Sequence, residues 1–431
     1  MITADQTSTF PRFLDLDYPI IERGEGVWLH TADGRQILDA CSGGAMVSSL
    51  GHGAARIVGA GAQQAERIAY FYMDHFTNEP QEQLAERLIS VAAPEMARVR
   101  FTSSGSEANE TALRLARAYH VDRGKPDRWR VISVAQSYHG STMATLALTG
   151  RRRTLQEPFT PYLSPHLHIG HGDDALRDLD ERLEEAGPGA VAAFFCEPVS
   201  GAARPAYSPP ESFWHGLAER RERHGFLICF DEIVTGMGRA GSWFAYQQLP
   251  IEPDIVTVGK GLGAGYAPIS AVLCKQHVYE AVARGSRFFD LGHTWDGAPV
   301  SCATGLAVLD ALVHGRLVER VRERGPRLLA DLKTALRGNP IVGDVRGRGL
   351  LLGASLVDPR GRGALLPDEI HMDERVEVVA LEHGLLITAT HSNLDGITGD
   401  EVTLAPAFTS TDEELDMMVT RLAETLAEVA T

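Results

Sequence analysis

The chain has 431 residues, 44% of them apolar and 23% charged, and 41 basic against 57 acidic side chains leave a net charge of −16. That composition excludes disordered, collagen-like and coiled-coil classes. The acidity argues against nucleic acid or anionic lipid as partners, because both present phosphate of the same sign.

The start, MITADQTSTFPRF, has neither a secretory apolar stretch nor an arginine-rich transit pattern. No apolar run approaches the roughly 20 residues of a membrane helix, so a cytoplasmic protein is expected. VWLHTADGRQILDA (27–40) predicts a hairpin turning at Asp33-Gly34. Short runs rich in Val, Ile and Phe then alternate with helical-period segments. The runs lie near 97–103, 130–135, 190–198, 226–232, 254–260 and 269–274, and read as buried strands. Between them, 106–120 sets Ala108, Ala112, Leu115 and Tyr119 on one stripe, and 174–186 and 212–225 are also amphipathic. The alternation predicts α/β architecture with a mostly parallel sheet flanked by helices.

Beyond about 305 the pattern changes. Residues 306–336 read as one long helical stretch, 342–357 as a hairpin, 373–384 and 412–430 as helices, and 391–401 as a polar loop. The expected division is an N-terminal segment (1–50) packing with a smaller α+β domain (320–431), and a large domain over 51–319. Cys41, Cys196, Cys229, Cys274 and Cys302 show no CxxC spacing, and four lie in or beside apolar stretches. They are expected to be buried thiols in a reducing compartment.

Three motifs carry chemistry. SSGSEANE (103–110) follows a strand and opens a helix. Ser103, Ser104 and Ser106 can cap that helix and Gly105 permits close approach, so its free N–H groups suit a phosphate. FLICFDEIVTG (226–236) ends a buried strand on Asp231 and Glu232, where a carboxylate needs a cation such as a protonated heterocycle. DIVTVGKGLGAGYAPIS (254–270) sets Lys260 after another apolar strand, where burial makes an amine nucleophilic toward carbonyls. Its GLGAG is no dinucleotide loop, because Pro268 and a strand follow. Each motif alone also fits a plain cap, a solvated acidic pair or a loop lysine. Together they fit one ligand with a phosphate, a pyridine nitrogen and an aldehyde, namely pyridoxal 5′-phosphate.

The sequence resembles the class III aminotransferases, of fold type I. The likeness rests on SSGSEANETALRLAR, SYHGST, CEPVSGA, FDEIVTGMGRAG, PDIVTVGKGLGAGYAPISAV and GHTWDGAPVSCATGLAVL, roughly 100 to 310, with Asp231 and Lys260 29 residues apart. The resemblance implies that Lys260 is the Schiff-base lysine and proton shuttle, and that Asp231 partners the pyridinium nitrogen. It makes Ser104, Gly105 and Ser106 the phosphate loop and stacks Tyr138 on one ring face, with His139 beside it. Ile233 presses on the other face, and Glu197 is an active-site carboxylate. Thr294 reaches the phosphate of a neighbouring subunit's cofactor, which implies a homodimer, with a tetramer left open. The implied reaction is ping-pong transfer of an amino group between a primary amine or omega-amino compound and an oxo-acid or aldehyde. A racemase, epimerase, mutase or decarboxylase shares such a fold, and a non-catalytic binding protein is the reading from another class.

Departures from the family bear on substrate. Thr403 stands where members that bind 2-oxoglutarate carry an arginine, and Ala202 stands where they carry its glutamate partner. Met46 replaces an aromatic of the amine–pyruvate members and implies a wider pocket. Arg204 is the expected substitute for binding an anionic substrate, and Arg346 is read as structural. HLHIGHGDD (166–174) is dense in histidine but lacks the spacing of a zinc site, so no metal is expected. GRRRT (150–154) is read as solvated surface.

Overall fold

The structure, a computed structural model, describes residues 6–14, 16–150, 156–361, 363–391 and 399–430. The three arginines of GRRRT and residues 392–398 of the polar loop lie outside them.

Ile21–Glu25 (β1), Trp28–Thr31 (β2) and Gln36–Asp39 (β3) form an antiparallel meander that contains the expected first hairpin. Seven strands form the central sheet. They are Met96–Thr102 (β4), Arg130–Val134 (β5), Leu167–Ile169 (β6), Val191–Cys196 (β7), Leu227–Glu232 (β8), Ile255–Val258 (β9) and Ser270–Lys275 (β10), in the order β4-β10-β9-β8-β7-β5-β6. The pairs from β9 through β6 are parallel, and β10 runs antiparallel to both neighbours. All six expected strands are present. The seventh, β6, has three residues and is too short to show a pattern.

Burial on both faces explains the continuous apolar runs, since every residue of β7, β8 and β10 is buried. Helix Gly105–Asp122 covers one face through Ala108, Ala112, Ala116 and Tyr119. Leu115, expected on that stripe, is only half-buried, and Ala116 takes its place. The chain leaves β5 for β6 at the sheet edge and returns across β5 to β7. Connections therefore diverge on either side of β5, which opens a crevice at the carboxyl ends of the strands.

The single helix expected over 306–336 is two helices, Pro299–His314 and Leu317–Ala335, bent by 61°. Gly315 weakens helical continuation, and Arg316 turns the chain with φ at 48°. Val342–Arg348 (β11) and Leu351–Leu356 (β12) are the expected second hairpin. Leu385–Leu386 (β13) pairs in parallel with β3. Thr388–Thr390 (β14) and Glu401–Leu404 (β15) complete a sheet ordered β11-β12-β15-β14. Helices Met372–Glu382 and Asp412–Val429 fall where the pattern put them. No single helix among the described residues is long and apolar enough to cross a membrane. All five cysteines are buried and unpaired with one another.

Candidate active site

Adjacent strand ends deliver the polar groups to one crevice. Tyr138 and His139 follow β5, Glu197 follows β7, Asp231 is the penultimate residue of β8, and Lys260 follows β9. The register pairs Cys196 with Phe230, so Glu197 and Asp231 emerge side by side. It also pairs Asp231 with Thr257. Lys260 adopts a left-handed conformation, φ 40°. A Cβ on Gly259 would lie 2.5 Å from Ser270 Oγ and 3.1 Å from Ile233 Cδ1, so no larger residue fits before the lysine.

Asp231 is 5% exposed and fully engaged. Its Oδ2 accepts from Asn109 Nδ2 at 2.7 Å and from His139 Nδ1 at 2.9 Å, and its Oδ1 accepts from the Ile233 N–H at 3.0 Å. Asn109 also donates to the His139 carbonyl at 2.7 Å and accepts from Thr257 Oγ1 at 2.6 Å. The Nε2 of His139 is buried with no hydrogen-bond partner, and the ring meets Phe195 edge-on at 4.9 Å. A proton there would have no acceptor, so the geometry assigns the proton to Nδ1. Asp231 is thereby held in place to meet a cation from the crevice.

Burial lowers the pKa of the Lys260 amine, and nearby Asp231 and Glu197 partly draw it back up. No hydrogen bond or ion pair holds that amine among the described residues. Glu197 accepts from the Gly201 N–H at 2.8 Å and the Tyr138 N–H at 3.4 Å, which ties the β5 loop to the β7 loop. Burial pushes its carboxyl from the ordinary 4.5 up to about 7, with His139 pulling the other way. Folded chains therefore bind this proton more tightly than unfolded ones, and stability falls as pH rises through that interval. Glu197→Gln is expected to flatten part of the decline in Tm between pH 4.5 and about 7 and to change little below it, as read from thermal melts across buffers. Glu232 adds a decline of its own. It is buried, holds Thr235 Oγ1 and the Ala245 and Tyr246 N–H groups, and is likewise raised to about 7 by burial.

At the helix start, Glu107 accepts from the Ser103 N–H, Ser103 Oγ and Ser104 N–H at 2.8, 2.9 and 3.2 Å, and Ser104 Oγ accepts from the Glu107 N–H. The hydroxyls of Ser103 and Ser104 are thus spent on the cap. The N–H groups of Gly105 and Ser106 have no partner among the described residues. Ser106 Oγ accepts from the Ser141 N–H at 3.0 Å. A Cβ on Gly105 would meet Ile233 Cγ2 at 3.0 Å, so Ile233 stands between this turn and Gly259. Tyr138 is exposed, with its hydroxyl 3.1 Å from Ser141 Oγ.

Other expected residues lie further out. Thr294 is exposed on a turn that Arg100 and Asp296 brace, and no hydrogen bond joins it to the groups above within one chain. Met46 is buried in an apolar cluster with Cys41, Val199 and Ala240. Arg204 is half-buried, its guanidinium 3.9 Å from the Tyr207 ring centroid. Arg346 pairs with buried Glu401 at 2.5 Å and with Asp344 at 3.3 Å, in keeping with its structural reading. Thr403 is buried in β15, and Ala202 is half-buried. The histidines of 166–174 go separate ways. His168 meets the Leu148 carbonyl, His171 meets the Gln136 carbonyl, and burial lowers His166 to about 4.

Sequence reasoning passed over Asn109, Thr257 and Arg239. Arg239 is 1% exposed and donates to the Leu350 and Pro406 carbonyls at 3.0 and 2.5 Å and to Ser42 Oγ at 3.0 Å. Burial lowers it to about 10. One signal was available: a polar residue on an apolar helix stripe or strand, or an arginine in a glycine-dense run.

Free N–H groups at a helix start suit a phosphate, a buried carboxylate suits a pyridinium, and a desolvated amine suits an aldehyde. The donor set fits pyridoxal 5′-phosphate on this α/β sheet, and the protein is of the class that uses it. It belongs to the class III aminotransferase family, whose sequence model matches residues 15–426. The diaminobutyrate–2-oxoglutarate transaminase of Halomonas elongata is 32% identical, over 95% of this chain and 90% of that one. YodT of Bacillus subtilis, an uncharacterized aminotransferase, is 32% identical over 96% of each chain. Among solved structures, the omega transaminase of Pseudomonas jessenii in complex with PMP superposes with a TM-score of 0.91 at 30% identity, covering 98% of this chain and 96% of that one. The chain is a pyridoxal-phosphate-dependent aminotransferase.

Proposed function

We propose that the enzyme takes nitrogen from a primary amine or omega-amino compound and gives it to an oxo-acid or aldehyde, with Lys260, Asp231 and Glu197 as its working residues. The observation that carries this reading is a desolvated amine with no partner among the described residues, near a buried carboxylate that three donors already hold. The bound cofactor supplies the carbonyl and the electron sink. Lys260 accepts the proton from the amine-bearing carbon of the substrate and returns it. Asp231 keeps the ring nitrogen protonated, and Asn109 and His139 fix its orientation. The Gly105 and Ser106 N–H groups hold the phosphate, and Tyr138 and Ile233 hold the ring between them. Glu197 fixes the loop that carries Tyr138.

The test is incubation of the holoenzyme with a panel of amines and no acceptor. The yellow band should bleach in step with one equivalent of carbonyl product. A band that persists while a chiral substrate racemises, or while carbon dioxide leaves, would move the reading to the rival chemistries.

The absence of the usual arginine at Thr403, with Ala202 in place of its glutamate partner, supports an amine without an α-carboxylate as donor. Buried Met46 supports a roomy pocket. Arg204, with no ion pair among the described residues, is the cation proposed to meet an acceptor's carboxylate. Arg204→Met is expected to raise the KM for an anionic acceptor about 10–150-fold with kcat little changed, since a charge-assisted bond is worth about 1.5–3 kcal/mol. Neutral aldehydes should be unaffected.

Exposed Tyr72, Phe76 and Trp295, the last beside Thr294, support a homodimer with shared sites. In it, Thr294 of the partner subunit reaches the cofactor phosphate. Five buried, unpaired thiols support a reducing, cytoplasmic setting. The pairing of β13 with β3 supports grouping residues 1–50 with 320–431 and setting 51–319 apart.

A further inference from the structure

A pocket of about 570 Å³, with no lining residue in common with the Lys260 crevice, lies between helix Leu317–Ala335, the loop at Gly241 and the β11–β12 turn. Two arginines line it. Arg322 donates through Nε to the Gly241 carbonyl at 2.9 Å, which leaves its two outer nitrogens uncommitted. Arg348 has a buried Nη1 with no hydrogen-bond partner. Neither guanidinium forms an ion pair among the described residues. Burial alone lowers the Arg348 pKa, and no carboxylate stands near enough to counter it. A desolvated guanidinium without an acceptor is costly, and its planar fork suits two oxygens of one anion. Such a positive pocket is out of keeping with a chain of net charge −16.

We propose that this pocket binds a small metabolite through a carboxylate or phosphate group held between Arg348 and Arg322. The volume suits a compact metabolite and exceeds what a single inorganic ion needs. The pocket also reaches Ala240 of the Met46 cluster. Leu350 donates its N–H to the Arg239 carbonyl at 3.0 Å, and Arg239 holds Ser42 beside the Met46 cluster. An anion drawing β11 toward the Gly241 loop would press on that cluster.

The test is calorimetric titration of the cofactor-loaded enzyme at low ionic strength, with inorganic phosphate and with citrate as probes. Binding should saturate at one equivalent per chain. Arg348→Met and Arg322→Met should each weaken it about tenfold, the loss of one charge-assisted contact, and leave the visible cofactor band unchanged. Arg322 is exposed, so its variant is expected to fold even if Arg348→Met does not. Weakened binding of only one probe supports the site and names its chemistry. Unchanged affinity in the Arg322 variant, or no binding of either probe to the parent enzyme, overturns the proposal.

Discussion

Lys260→Ala is expected to reduce transamination by about 10⁴-fold or more while leaving the cofactor-free chain at least as stable as its parent at pH 7. The catalytic loss follows from removing both the nucleophile and the proton carrier. The stability expectation follows from linkage. Burial lowers the amine's pKa below its ordinary 10.5, so unfolded chains bind this proton more tightly than folded ones. The cost is present in full below the folded-state pKa and disappears as pH rises toward 10.5. Alanine removes it throughout. Single-turnover assays and denaturant melts of the apo chain measure the two effects. Full biological activity in this variant would return the protein to the non-catalytic binding class. A marked loss of stability would mean that Lys260 is a packing residue.

Asp231→Asn is expected to lower kcat by about 10²–10³-fold and to loosen cofactor retention, because a carboxylate stabilises ring charge that an amide does not. A second cost arises at the same atom. Asn109 Nδ2 and His139 Nδ1 both donate to Oδ2. An amide nitrogen there would face two donors. Flipping the amide moves the conflict to the Ile233 N–H on Oδ1. At least one donor is therefore left unsatisfied whichever way the side chain turns, at about 1–3 kcal/mol each. Equilibrium dialysis of the cofactor and thermal melts of the apo chain separate the electrostatic loss from the structural one. Cofactor affinity and turnover equal to the parent's would show that Asp231 does not meet the ring.

Strand ends were legible because a doubly covered sheet demands unbroken apolar runs, and those runs stop where chemistry begins. VAAFFC yields to Glu197, and LICF yields to Asp231. The capping serines were legible for the same local reason, although the structure spends two of their hydroxyls on the cap itself. Asn109 was not legible as an anchor. Its importance comes from β9 and the β5 loop arriving beside it, and both contacts lie far along the chain. Arg239 escaped similarly, since its acceptors sit at Leu350 and Pro406. The break at Gly315 was hidden because the apolar period runs on through it. The positive pocket at Arg348 was hidden because a charge sum averages over the whole surface.

The parallel pair of β13 with β3 has a consequence for biosynthesis. Ala405 donates to the Ala40 carbonyl, and Ser42 Oγ donates to the Ala405 carbonyl, across 363 positions of sequence. Trp28 likewise bonds Glu414. The meander leaves the ribosome long before its closing partners are translated. Nascent chains thus carry an open sheet edge through most of elongation, a state prone to mispairing. The apolar cluster around Met46 includes Ala405, so it closes only once that distant segment has been translated.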